Sequence, residues 1–182
     1  MSERNTFIRS LHDIGLAAWF GGNLMGAVGL NGATAKAKDP TERLRLSSLG
    51  WARWAPVQLV ALAAHGIGGV GLIAGNKGRL ATQPESRTNT IVKIIVTGLA
   101  GAASLYSGLL VRKIAAHAEE GATGVTEPGS TTSEELAKAQ RTQKVLQWAT
   151  PVLTAVLLVL AAQQGEQQRP VAGLLGRLGV RS

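Results

Sequence analysis

His65 is the residue of this chain best placed to do chemistry. It lies in Ala63-Ala64-His65-Gly66-Ile67-Gly68-Gly69, midway along Trp54–Asn76, a stretch without Asp, Glu, Lys or Arg. An imidazole titrates near neutrality and ligates metals. Inside an apolar segment it is therefore a candidate haem or metal ligand, proton relay or quinone contact. The plainer alternative is a neutral histidine that donates to a carbonyl, or bonds Asn23 or Ser104 on a neighbouring helix. The other histidines are His12, next to Asp13, and His117. Counted from the start of each apolar stretch, His12 is at the edge of the first and His65 about eleven residues, roughly 16 Å, inside the second. His117 lies past the third. Two imidazoles on one iron need one depth, and this count gives three histidines three depths. A five-coordinate haem b on His65 or His12, or a second ligand such as Met25, is the cofactor site that remains.

Other catalytic sets are missing. There is no cysteine, which removes disulfides, thiolate metal sites and thiol nucleophiles. The chain has no His-Glu-x-x-His, no Gly-x-Ser-x-Gly and no phosphate-binding Gly-Lys-Ser/Thr loop. Gly75-Asn76-Lys77-Gly78 lacks P-loop spacing and reads as a turn at the end of a span.

The elements that must position His65 are read from charge. Four stretches, Ile14–Ala35, Trp54–Asn76, Ile94–Val111 and Val145–Gly165, contain no charged residue, and all 19 Lys/Arg and 11 Asp/Glu lie outside them. Each is close to the ~20 residues that carry a helix across ~30 Å of hydrocarbon. A soluble helix would instead place charges along its outer face. The expected fold is all-α: a polytopic four-transmembrane-helix bundle with spans at about 14–35, 54–76, 94–111 and 145–165. It forms one membrane domain over 1–182. The first span is expected to be a retained helix, because its apolar run exceeds the 7–15 residues of a signal-peptide core.

The connectors differ. Asp39-Pro40 is an N-cap followed by Pro at the first helical position, so a short interfacial helix is predicted from Pro40 toward the second span. Trp51, Trp54 and Trp148 stand at span ends, as aromatic interface anchors do. Residues 119–133 are rich in Gly, Thr, Ser and Glu and read as a flexible polar loop. Thr132-Ser133-Glu134-Glu135 has the form of a capping box that opens the next helix. Pro56 and Pro151 fall in the first membrane turns of their spans, and residues 166–182 form a polar, basic tail. With Arg53 and Lys93 set aside at span edges, one for each face, Lys and Arg number eight on the face holding both termini and nine on the other. The positive-inside rule therefore does not orient the chain, and a cytoplasmic N-terminus is the reading taken. The net charge of +8 is spread over span ends, and aromatics make up only 4%. That pattern fits anionic lipid headgroups rather than nucleic acid.

Small residues predict where helices meet. Gly22 and Gly26 in the first span, Gly68 and Gly71 in the second, and Gly98 and Ala102 in the third would let backbones approach closely. The spans carry few polar residues, so a transporter ranks third among functions, behind an accessory or scaffold subunit and a haem- or metal-binding redox protein. The accessory reading implies a membrane-protein partner or a second copy.

Leu11-His12-Asp13-Ile14-Gly15-Leu16-Ala17-Ala18-Trp19-Phe20-Gly21-Gly22 resembles the opening helix of small four-helix membrane proteins related to the copper-resistance D membrane domain. That resemblance implies a copper or haem role. The whole chain, with Gly50-Trp51-Ala52-Arg53-Trp54-Ala55-Pro56 and Gln163-Gln164-Gly165-Glu166-Gln167-Gln168-Arg169-Pro170, resembles uncharacterised membrane proteins of high-GC Gram-positive bacteria.

Overall fold

The computed structural model describes residues 6–166, with side chains over 6–164, and the described part is helical without strands. The basic tail beyond Glu166 lies outside the described residues. The first helical run comprises α1 (Thr6–Met25), a π-helical segment (Gly26–Leu30) and α2 (Asn31–Thr34). It is followed by α3 (Pro40–Gly75), α4 (Lys77–Thr82), α5 (Pro84–Ala116), a 3-10 turn (Ala118–Glu120) and α6 (Glu134–Glu166). Asp39 caps α3 by accepting from the Thr41 N–H at 2.8 Å, ahead of Pro40. From there α3 runs unbroken through Pro56, as α6 does through Pro151. The helix expected from Pro40 and the second apolar stretch are thus one element. Three helices, α3, α5 and α6, are long and apolar enough to cross a membrane. The first run falls short of that measure. Arg9, Asp13, Asn23 and Asn31 interrupt its apolar residues, and the π-helical turn divides it.

The helices form a ring in which α1 packs mainly on α3 and α5 on α6, closed by α1–α6 and by a looser α3–α5 contact. Neighbours run antiparallel: Ile8 lies against Gly71, His12 against Gly68, and Trp54 and Trp51 against Gly22 and Gly26. A Cβ on Gly15 would stand 2.6 Å from both the Ala61 carbonyl oxygen and the His65 nitrogen, and one on Gly68 2.5 Å from the His12 nitrogen, so the two backbones are in close contact at both glycines. Gly98 and Ala102, expected on a packing face, instead open outward: Ala102 is exposed and a Cβ on Gly98 would meet nothing. The reason is rotational. Leu110, Ser104 and Ala100 are the α5 residues that point inward, and Gly98 and Ala102 lie on the other side of the helix. Trp51 and Trp54, read as interface anchors, are half-buried against α1. Their indole N–H groups donate to Asn31 Oδ1 (2.9 Å) and Gln58 Oε1 (3.1 Å). Trp148 is 46% exposed.

Polarity is inverted relative to a water-soluble bundle. Only 17–22% of the most apolar stretch of α3, α5 and α6 is buried inside the molecule, and Val60, Ile67, Val70, Leu105 and Val159 face outward. The interior instead holds bonded polar groups. Trp19 Nε1 donates to Ser104 Oγ at 3.0 Å, and Ser107 and Gln143 bond each other. Asn31 is a hub: its Oδ1 accepts from Ser47 and Trp51, both at 2.9 Å, while its Nδ2 donates to Gln147 at 3.0 Å. A single buried amide therefore ties the first run to both α3 and α6.

Opposite the N-terminus, the connector 119–133 packs onto the bundle. Composition suggests a solvated loop, yet Ala122, Val125 and Thr126 are buried. Arg43 donates to the Ala37, Ala122 and Thr123 carbonyls at 2.7, 3.1 and 2.8 Å, clamping both connectors to α3. Gly121 has φ +66°, where only glycine sits without strain, and a Cβ there would also press on Pro40. Ser133 is the N-cap of α6, accepting from Leu136 N–H at 3.3 Å. Its own N–H and hydroxyl donate to Glu120, at 2.7 and 3.0 Å. The carboxylate that completes the capping box thus comes from the preceding turn. These bonds from Ser133 hold the Glu120 carboxyl below its ordinary value of 4.5. A carboxylate favoured in the folded state stabilises fully above that value, and the stabilisation fades as pH falls through it. The protection of the Ser133 amide against exchange, taken relative to its intrinsic rate, is expected to fall below about pH 4.5. Glu120→Gln should lower that protection at neutral pH. A wild-type protection that does not change with pH would refute the cap.

Candidate ligand-binding vestibule

The antiparallel register brings together groups that the sequence keeps apart. His12, near the start of α1, meets His65, ten residues before the end of α3, with ring centroids 4.1 Å apart and planes tilted by 41°. The count from the apolar edges, which set these histidines at different depths, is corrected here. It measured His12 from one membrane face and His65 from the opposite one, and the register is fixed by glycine contacts rather than by where charges stop. His117 is far from both. It bonds the Lys113 carbonyl at 2.9 Å at the other end of α5. Met25 is 65% exposed and about 20 Å along α1 from His12.

Both rings are 4% exposed, and their hydrogen bonds differ. A carbonyl only accepts, so His65 Nδ1–H donates to the His12 carbonyl at 3.2 Å, and the Thr97 hydroxyl donates to Nε2 across 3.4 Å. Trp19 closes over His65, centroids 5.9 Å apart. His65 is thus a fully partnered interior histidine. His12 donates from Nδ1 to Asp13 Oδ1 at 3.0 Å, and this is its one side-chain hydrogen bond among the described residues. A carboxylate on one imidazole nitrogen fixes the tautomer and raises the basicity of the other, the arrangement found behind metal-ligating histidines. The two rings lie side by side, whereas one metal about 2 Å from a nitrogen of each needs them end-on.

The pair floors a cavity of about 430 Å³ bounded by the start of α1, the end of α3, α4, the start of α5 and the end of α6. Arg9, Arg79 and Lys93 reach it from three different elements, and Asp13 is the carboxylate among its lining. Lys93 Nζ donates to Gln164 Oε1 at 2.9 Å. Ser86 is 6% exposed, and among the described residues neither its hydroxyl nor Arg79 Nε has a hydrogen-bond partner. Sequence reasoning missed these residues because α4 and the start of α5 read as connector. Among the described residues no three His, Asp or Glu converge as a metal cage. The chain matches no protein-family model, no curated protein and no solved structure, so its functional reading rests on this geometry.

Proposed function

We propose that this chain is a small four-span integral membrane protein without catalytic activity, working as an accessory or scaffold subunit in the cell membrane with both termini on the cytoplasmic side. The inverted polarity carries the membrane part of this reading. Apolar surface turned outward costs about 25 cal/mol per Å² in water and nothing of that kind in lipid, while polar groups bonded inside the bundle suit a bilayer. The run Thr6–Thr34 is about 43 Å long at 1.5 Å per residue, enough to be the fourth span beside α3, α5 and α6. The accessory part rests on the outer face of α5, where Gly98, Gly101 and Ala102 lie open and would admit another helix closely. A photo-crosslinker at Ala102 is expected to give one discrete protein adduct in native membranes. Ile67, on the outer face of α3, serves as the control. Absence of an adduct at Ala102 would overturn the accessory reading.

A second reading, haem or metal binding, is favoured by one observation, the Asp13–His12 bond that leaves Nε2 uncommitted. His12 would hold the haem iron through Nε2, and the haem would supply one-electron chemistry when bound. His65 would brace the ring. On this reading, oxidised and dithionite-reduced spectra of detergent-purified protein show a Soret band that shifts on reduction. His12→Ala abolishes it and His65→Ala retains most of it. A colourless, metal-free protein would eliminate the reading.

A further inference from the structure

We infer that the vestibule binds the phosphate of an anionic membrane lipid. The inference rests on the four-span reading and adds the ligand. Among the described residues, Arg9, Arg79 and Lys93 line one cavity with a single carboxylate, that of Asp13, which is bonded to His12. The cavity's other titratable groups are the two histidines. The excess is therefore cationic, in a recess where partial burial strengthens attraction for an anion. Two donors there have no partner among the described residues: the Ser86 hydroxyl, on a residue 94% buried, and Arg79 Nε. A buried hydroxyl and guanidinium N–H without acceptors are unusual and costly in a finished structure. An oxyanion with several acceptor oxygens would satisfy both.

The shape says what the anion is attached to. The cavity wall includes Val70 and Ile73 on α3 and Ile94 on α5, and these apolar residues are 68%, 36% and 55% exposed. They belong to α3 and α5, the pair of helices whose seam is the loosest contact in the ring. The cationic recess therefore has an exposed apolar side. An acyl chain lying along that seam would leave its phosphate among Arg79, Lys93 and Ser86. Basic pockets between membrane helices hold anionic headgroups in this way.

Native mass spectrometry of the full chain, released from detergent with phosphatidylglycerol or with phosphatidylcholine of the same acyl chains, tests the assignment. One retained phosphatidylglycerol and little phosphatidylcholine are expected. Arg79→Gln and Lys93→Gln should each weaken retention by about tenfold, while Lys138→Gln at the opposite end leaves it unchanged. Ser86→Ala, a small change less prone to misfolding, should weaken it by a lesser factor. Equal retention of both lipids, or insensitivity to all three vestibule changes, would overturn the proposal. So would a protein stabilised by inorganic phosphate alone and blind to phosphatidylglycerol, because the source would then be a soluble anion. A Soret band with no lipid selectivity would overturn it in favour of a porphyrin. Failure to insert in membranes would sink the four-span reading as well, whereas lipid-blind binding by inserted protein sinks this inference alone.

Discussion

Gly15→Val is expected to separate α1 from α3 and to yield protein that is poorly folded in detergent. The new side chain would start 2.6 Å from a carbonyl oxygen and 2.6 Å from an amide nitrogen, and neither is the end of a flexible side chain. Only a shift of one helix relieves both clashes. Overpacking of this kind costs about 1–3 kcal/mol and sometimes more, and close backbone contact is what holds lipid-embedded helices together. For a chain of this size each kcal/mol lowers the melting temperature by about 2–4 °C. Gly15→Val should therefore melt roughly 2–12 °C lower and aggregate on size-exclusion. Gly21→Ala, on the same helix with open space at its Cβ, should be neutral or slightly stabilising, since alanine is the better helix former. Equal melting of the two variants would mean that α1 does not pack on α3 as described.

The second large effect is expected at Asn31. Asn31→Ala removes three bonds at once and leaves the Ser47 hydroxyl, the Trp51 indole N–H and the Gln147 amide without that partner. A buried polar group left unpaired costs about 1–3 kcal/mol in water-soluble proteins, and hydrogen bonds between membrane helices average about 0.6 kcal/mol. The expected total is about 2–3 kcal/mol, seen as a lower melting temperature and a red-shifted tryptophan emission. Ser47→Ala in addition should cost less in the Asn31→Ala background than alone, because the pair is coupled. Strict additivity would remove Asn31 from its place as the hub.

Some of this was legible in the chain and some was not, for physical reasons. Helical class and three long apolar helices follow from where charges are forbidden, a coarse signal that lipid enforces on every residue. Asp39-Pro40 told where α3 begins because capping is local. What faces what is a different matter. The lateral register of α1 on α3 comes from which glycines admit which backbone, and neither the edges of the apolar stretches nor glycine spacing along one helix carries that. Pairing Gly22 with Trp54 and Gly68 with His12 would have placed the two histidines side by side. The inward turn of Trp51 and Trp54 was hidden because an indole at a span end suits both a headgroup and a buried acceptor such as Asn31. Asn31 itself sits in an unremarkable Leu-Asn-Gly, and only the π-helical turn before it, with the Asn31 N–H reaching back to the Gly26 carbonyl, accompanies its side chain into the bundle. Ser133 shows the same limit. Its hydroxyl caps α6 as a local motif predicts, but the reciprocal carboxylate, Glu120, lies thirteen residues upstream.

The absence of cysteine from the sequence makes the central claim, four crossings around a polar interior, directly measurable. Single cysteines placed at Phe7, Lys38, Val60, Thr82, Leu105 and Ser130 would be treated with a membrane-impermeant maleimide in intact cells and in inverted vesicles. Four crossings predict that Phe7→Cys and Thr82→Cys react from one side, that Lys38→Cys and Ser130→Cys react from the other, and that Val60→Cys and Leu105→Cys react from neither. Phe7→Cys and Lys38→Cys reacting from the same side, or Val60→Cys and Leu105→Cys reacting freely, would contradict it.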